Sequence, residues 1–522
     1  MAKIAIITGA GPAALRGRYD LLKCASVPKQ GSIAVFYTYV WENKKNKSYC
    51  IASAIMYLLQ FIFFKLEYPF ANYMPDSYFY LKAAASNADV NIWPVAYSKF
   101  LRLVNIFTHS DTIVVGLQYF FMQLAGLLFL FTLLHFIRPG RTVRTSLYIF
   151  FLLNPIALYV ANYISADALF VGYSLLWFTS LTWIIFHPQP WMGAVHALLL
   201  LGCFTLRYNA IYYPLISVLA FSLSPQPWRA RLVAIGLAGT LLFGFIWSAS
   251  NKMKEVTGYF QFSAFGGWQL ANNALYMYEH IPASKRQLPP RRFEKLETMV
   301  RQHIDTLNKV KMSHDDSIYA SFYLWNAGGP LVQYMNREYK NDSTTSYFRR
   351  WASQGPLYFE YGRYLIASYP ASFVINFMLP NAINFADPPS EFLNTYNLGG
   401  DSVLIPAKDW FQYRSLKVRD RNAKNAIMFY ADWYSVFAAL INLLLVINMT
   451  GMLFFKLLKM QPQPVAKWTI LCLSLWTLNA VFSIAASSIV LRYQLFPIVV
   501  EWCVALIIGE WIYKHQPKNN NK

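Results

Sequence analysis

Charge is scarce in this 522-residue chain: Asp, Glu, Lys and Arg make up 14% of it, where about a quarter is usual for a soluble domain. That shortage excludes a disordered chain and a coiled coil, and it argues against an ordinary cytosolic enzyme. Acids are scarcest, 25 against 46 basic residues, so a carboxylate set among apolar residues is informative. Cysteine is nearly absent. Cys24, Cys50, Cys203, Cys472 and Cys503 are scattered without paired spacing, which gives neither a disulfide framework nor a metal-ligand cluster. The composition also excludes a collagen-like fibre. No phosphate-cradling Walker loop, Gly-x-Ser-x-Gly elbow or His-Glu-x-x-His run occurs, so an ATP-driven pump, a serine hydrolase and a metalloprotease lack support. His135 and His196 are single histidines in apolar runs and read as packed. His280 has no second ligand at metal spacing.

What the chain has in excess is apolar and aromatic residues. Hydrophobic residues reach 56%, with 40 Phe, 36 Tyr and 16 Trp, far more than one soluble core needs. The expectation is an all-α polytopic membrane protein. A span needs about 20 mostly apolar residues, and ten segments are assigned as spans: roughly 49–66, 112–137, 145–163, 168–186, 191–206, 210–224, 232–250, 427–456, 468–490 and 494–513. The net charge of +21 would suggest nucleic acid in a soluble chain. Here the basic residues flank apolar runs, where they meet anionic lipid head groups, and no nucleic-acid partner is expected.

Orientation follows from those residues. Lys44, Lys45 and Lys47, then Arg138, Arg141 and Arg144, then Arg229 and Arg231, then Lys456, Lys459 and Lys467, and finally Lys514, Lys518 and Lys522 all fall on one side of a ten-span chain with a cytoplasmic N-terminus. The organisation expected is a cytoplasmic tail 1–48, a membrane module 49–250 with a first outer loop 67–111, a large outer region 251–426, closing spans 427–513 and a tail 514–522. The run Tyr364 to Phe385, interrupted by Pro370 and Pro380, reads as an interfacial or protein-buried helix. Met1 to Gly11 looks like the start of a dinucleotide-binding unit, but the chain enters a span within forty residues and leaves no room for that fold. Asn46, Asn341 and Asn448 open glycosylation sequons, of which only Asn341 falls in an accessible outer segment.

Four charged residues lie at the outer ends of spans, where burial is costly. Asp76, in Tyr73-Met74-Pro75-Asp76-Ser77-Tyr78, reads either as an N-cap opening a helix at Ser77 or as a general base in a partly dry site. Asp167, in Ser165-Ala166-Asp167, reads as a helix start or as a site-lining acid. Arg207, followed by Tyr208, and Arg492, followed by Tyr493, could snorkel to lipid phosphates or clamp a ligand phosphate in bidentate fashion. Gly266-Gly267-Trp268-Gln269-Leu270-Ala271-Asn272-Asn273 combines rings and amides, as a carbohydrate site does, and also suits an interfacial helix.

At these residues the chain resembles the GT-C superfamily, the multi-span glycosyltransferases that use polyprenyl- or dolichyl-phosphate-linked sugars. Pro75-Asp76-Ser77-Tyr78-Phe79-Tyr80 resembles the acidic first outer loop of that family. Asn154-Pro155 with Ser165-Ala166-Asp167 is similar to the third-to-fourth-span region of mannosyl- and arabinosyl-type members. Leu491-Arg492-Tyr493-Gln494-Leu495-Phe496-Pro497 is similar to its late Arg-Tyr-x-x-x-Pro stretch. Family members usually have a few more than ten spans, and the single acid of the first loop departs from the acidic pairs of metal-dependent members. The resemblance therefore implies a metal-independent transferase without cofactor. Its implied partners are a polyprenyl-phosphate sugar donor, membrane lipids and a lipid, glycan or protein acceptor. It implies Asp76 as base, Asp167 as a second catalytic or orienting acid, and Arg207, Arg492, Tyr208 and Tyr493 at the donor phosphate. Trp268, Gln269, Asn272 and Tyr78 would contact sugar or acceptor. A polysaccharide polymerase or ligase and a lipid-linked glycan transporter remain open as alternatives. The Lys/Asn-rich ends favour a bacterial inner membrane over the endoplasmic reticulum.

Overall fold

The computed structural model describes residues 33–310, 321–342, 344–418, 429–486 and 488–515. Met1 to Gly11, Cys24, Lys518 and Lys522 lie outside them. Among the described residues there is helix throughout and no strand, only two isolated bridges. The first half comprises α1 (Ile33–Trp41), α2 (Lys44–Glu67), α3 (Pro75–Ala85), α4 (Ala96–Asn105), α5 (Asp111–Phe136), α6 (Arg141–Leu153), α7 (Ile156–Asn162), α8 (Asp167–Phe186), α9 (Met192–Leu206), α10 (Tyr213–Leu223) and α11 (Trp228–Thr257). The segment expected as the outer region, called so below, holds α12 (Phe265–Tyr278), α13 (Glu294–Val310), α14 (Phe322–Trp325), α15 (Pro330–Glu338), α16 (Tyr347–Ser353), α17 (Gly355–Ser368), α18 (Pro370–Phe373), α19 (Leu379–Ala386) and α20 (Ile405–Phe411). Three long helices close the chain: α21 (Phe429–Phe454), α22 (Gln463–Ala486) and α23 (Leu491–His515).

The protein is a polytopic helical membrane protein. Eight helical segments are long and apolar enough to cross a bilayer: α2, α5, the α6–α7 pair, α8, α11, α21, α22 and α23. The expected count was ten. The two segments that fall short, Met192–Leu206 and Tyr208–Leu223, are apolar but brief, and the second begins as a 3-10 turn. The α6–α7 pair is broken at Asn154, which is extended (φ −68°, ψ 101°) because the ring of Pro155 disfavours helix before it. The run Tyr364–Phe385 forms no single helix long enough to cross a bilayer. Tyr369 leaves helical geometry before Pro370, and a π turn at Val374–Met378 precedes Pro380.

Two cores form. One lies among the membrane helices, and the other belongs to the outer region, where Trp268, Tyr323, Trp351 and Tyr358 are fully buried. In that second core α12 and α17 cross with their backbones touching. A Cβ on Gly267 would fall 2.0 Å from the carbonyl oxygen of Gly355, and one on Gly362 would meet the backbone of Leu270 at 2.7 Å. Cys50, Cys203, Cys472 and Cys503 are free thiols. His135 and His196 are buried among rings, against Phe36 and Phe221 respectively. Of the sequon asparagines, Asn46 and Asn448 are buried and Asn341 is exposed.

Candidate functional site

The site is assembled by backbone pairing before any charge is considered. Asn72 pairs with the segment entering α8: its N–H donates to Asn162 O at 2.8 Å, and Ile164 N–H donates to Asn72 O at 3.0 Å. That bridge sets the first outer loop beside the turn that carries Asp167. A third segment, 387–400, folds across both. Asn397 N–H donates to Asn72 Oδ1 at 2.6 Å, Tyr163 Oη donates to the carbonyl of Phe392, and Leu491 N–H donates to Pro389 O at 2.8 Å. Buried backbone groups must find partners, and here they find them between segments far apart in the chain. A neighbouring carboxylate holds the flank: Asp111, buried, accepts from Ala71 N–H at 2.6 Å and from Tyr413 Oη at 2.7 Å.

Helix α3 opens at Pro75, earlier than an N-cap at Asp76 would require. Met74 is the N-cap, and Pro75 sits at N1, where its missing N–H costs nothing. Met74 N–H donates to Ser77 Oγ at 3.0 Å, so Asp76 is free of capping duty. Asp167 is the first residue of α8 and accepts from Ser165 Oγ at 3.1 Å. Arg207 is the C-cap of α9, and Arg492 is the second residue of α23.

These four side chains, picked separately from the sequence, meet. Arg492 Nη1 lies 3.2 Å from Asp76 Oδ2, 3.4 Å from Asp167 Oδ2 and 3.3 Å from Met74 Sδ. Arg207 Nη1 pairs with the other oxygen of Asp167. Both guanidinium groups lie over the ring of Tyr493, 4.3 and 4.5 Å from its centroid, in cation–π contact. The cluster is dry: the side chains of Arg492 and Asp167 are only 5% and 4% exposed.

Sequence reasoning missed one member. Glu391 Oε2 accepts from Arg492 Nε at 2.6 Å, the shortest contact that guanidinium makes. Glu391 follows Pro388-Pro389-Ser390 in the segment that crosses the site, and its backbone is left-handed at φ 49°. That conformation is uncommon for a residue with a side chain and marks a position held by its surroundings. Burial pushes the Glu391 carboxyl above the ordinary glutamate range, and Arg492 opposes that rise. The only hint in the sequence was the scarcity of acids, because nothing local relates residue 391 to residue 492.

The remaining sequence candidates lie elsewhere. Tyr208 packs between Phe204 and Phe262, with ring centroids 5.9 and 4.6 Å away. Tyr78 accepts from Leu404 N–H at 3.3 Å and stacks on Tyr73. Trp268 is fully buried and donates through Nε1 to Trp351 O at 2.9 Å. Gln269 and Asn272 both donate to Asn273 Oδ1, and Asn272 Oδ1 accepts from Leu324 N–H at 3.1 Å. The amides of the Trp268–Asn273 stretch are therefore occupied inside the outer region's core.

Three carboxylates and two guanidinium groups leave the cluster with one negative charge in excess (2 − 3 = −1). Among the described residues, no group of three or more His, Cys, Asp or Glu is arranged to hold a metal ion. Such an arrangement can grip an anion through two arginines and can accept a proton at a carboxylate with few hydrogen bonds. No family model matches the chain, and no curated protein or solved structure matches it either.

Proposed function

We propose that the chain is a metal-independent membrane glycosyltransferase that moves a sugar from a polyprenyl-phosphate donor to a hydroxyl acceptor. The observation that carries the reading is the meeting of Asp76, on the short helix α3, with Asp167, Arg207 and Arg492 at the ends of α8, α9 and α23. Ten crossings are proposed. Arg207 ends α9 beside Asp167, which starts α8, so α9 returns the chain to the face that α8 left. The basic loops lie at the other end, where Gly140 N–H donates to Glu510 at 2.9 Å, and a bacterial inner membrane is the proposed location.

The chemistry asks little of a general acid, because a polyprenyl phosphate leaves as a stable anion. Asp76 removes the proton of the acceptor hydroxyl, whose oxygen attacks the anomeric carbon. The bond from that carbon to the phosphate oxygen breaks, and the phosphate departs with the electron pair. Arg207 and Arg492 stabilise its charge in a site from which water is excluded. Asp167, gripped by both arginines, fixes their aim. Direct displacement inverts the anomeric centre. In this resting arrangement Glu391 and Asp76 occupy Arg492, so donor phosphate binds by taking over those contacts.

The test is Asp76→Asn. Transfer from a polyprenyl-phosphate sugar should fall by about 10²–10⁴-fold, with expression and thermal stability retained. Activity kept within a few-fold removes Asp76 as the base. A transporter is favoured by one separate observation: Glu501, midway along α23, is buried at 4% exposure within the bundle. Glycan flux across proteoliposomes without any transfer product would put that reading first.

A further inference from the structure

We infer that Trp325 carries a stacking platform for a neutral glycan, which makes the acceptor of the proposed transferase a saccharide chain. Three indoles form a parallel stack that rises from the core of the outer region. Trp268 and Trp351 have ring centroids 5.1 Å apart at 5°, and Trp351 and Trp325 are 6.2 Å apart at 6°. Exposure grades along it, from 0% at Trp268 and 1% at Trp351 to 36% at Trp325. A large ring that ends such a stack keeps its orientation, so little rotamer entropy is lost when a flat ligand covers it.

The turn behind Trp325 is fixed from the same core. Asn272 Oδ1 takes the N–H of Leu324 at 3.1 Å and Tyr276 Oη takes that of Phe322 at 3.0 Å. The amide stretch singled out in the sequence thus supports the platform from beneath rather than touching a sugar. Beside the exposed ring stands Asn326, whose Oδ1 accepts from Gly328 N–H at 2.7 Å. Its Nδ2 donates to no described residue and is available to a hydroxyl. The residues that follow are Ala327, Gly328 and Gly329. They include none of the Lys, Arg or long aliphatic side chains that accompany aromatic anchors in a lipid interface. An aromatic face with an adjoining amide and small neighbours matches the CH face and hydroxyl rim of a pyranose.

A chain of contacts also links the platform to the helix that carries Asp76. Trp93 packs on Trp325 at 5.8 Å, and Asn91, two residues earlier, donates to Phe79 O at 3.2 Å. Phe79 is one turn along α3 from Asp76. A glycan laid on Trp325 would therefore have its end within a few sugar units of the proposed base.

This inference takes its purpose from the transferase reading, but its test does not depend on it. Full-length protein in nanodiscs is titrated with neutral hexasaccharides built of glucose, mannose or N-acetylglucosamine, with binding followed calorimetrically. Trp325→Ala should weaken binding about tenfold while Trp325→Phe keeps it within about threefold. Asn326→Ala should weaken it less than Trp325→Ala. In the transfer assay, Trp325→Ala should raise KM for a saccharide acceptor more than it lowers kcat. Failure of every hexasaccharide to bind, or equal binding by Trp325→Ala, overturns the platform, whatever becomes of transferase activity. Quenching of Trp325 emission by brominated lipid would overturn it in favour of a membrane contact. Glycan binding without any transfer would keep the platform and sink the transferase.

Discussion

Replacing Arg492 by methionine should be far more damaging than replacing Glu391 by glutamine, although the two form one short contact. Arg492 is the only described cation touching Asp76 and Glu391, while Asp167 keeps Arg207 when Arg492 is lost. Arg492→Met therefore strands two carboxylates that are 17% and 12% exposed and takes the cluster from −1 to −2. Breaking a buried pair from one side costs about 3–5 kcal/mol, because the other charge stays behind without compensation. Glu391→Gln instead brings the count to zero and leaves a neutral acceptor in place. Its expected cost is below about 1.5 kcal/mol, the size of one net hydrogen bond. The double variant Arg492→Met/Glu391→Gln should recover part of the loss, since one stranded charge is removed. Equilibrium unfolding of the four proteins in one mixed micelle would give all three values. Similar costs for the two single variants would refute the view that Arg492 alone compensates this buried negative charge.

Glu391 also predicts a pH dependence. Its carboxyl is raised by burial, so the stability it contributes is fully present below the ordinary glutamate range and is lost as pH rises through its folded value. Within the cluster it faces Arg492, with Asp76, Asp167, Arg207 and Tyr493 around it. As pH falls through the raised folded value of Glu391, binding of inorganic pyrophosphate by the wild type should tighten as Glu391 lets go of Arg492, and Glu391→Gln should show a smaller change, measured by calorimetry. The same slope in both proteins would show that the ligand or another group titrates. In the outer region, Gly267→Ala drives a methyl group into Gly355 O and should cost about 1–3 kcal/mol in thermal unfolding. Gly236→Ala, in the interior of α11 with nothing within 4 Å, should not lower the melting temperature.

The membrane architecture was legible in the sequence because a bilayer imposes a length and a composition on every crossing. The ten apolar runs all became helices, but two came out too short to qualify by length, since composition gives no account of where Pro214 or a 3-10 turn at Tyr208 interrupts regularity. The outer charges were legible for a related reason. In a chain with 25 acids, one beside a span is costly enough to need a purpose. For Trp268, Gln269 and Asn272 the sequence left two environments open, because rings and amides look the same whether they face a sugar or a core. The structure spends their polar groups on Trp351, Asn273 and Leu324.

What the sequence determined by itself was local: which segments are helical and apolar, and which ends carry charge. Pairing was decided only by the fold. Asp76 and Arg492 are 416 residues apart, and Glu391 lies 101 residues before Arg492. They meet because Asn72, Tyr163 and Pro389 tie three segments together, through backbone pairing and the Tyr163 hydroxyl bound to the carbonyl of Phe392. Hydrophobic pattern specifies how each helix meets lipid or core, one residue at a time. Which distant carboxylate reaches which guanidinium depends on how whole helices pack, and tertiary structure alone carries that.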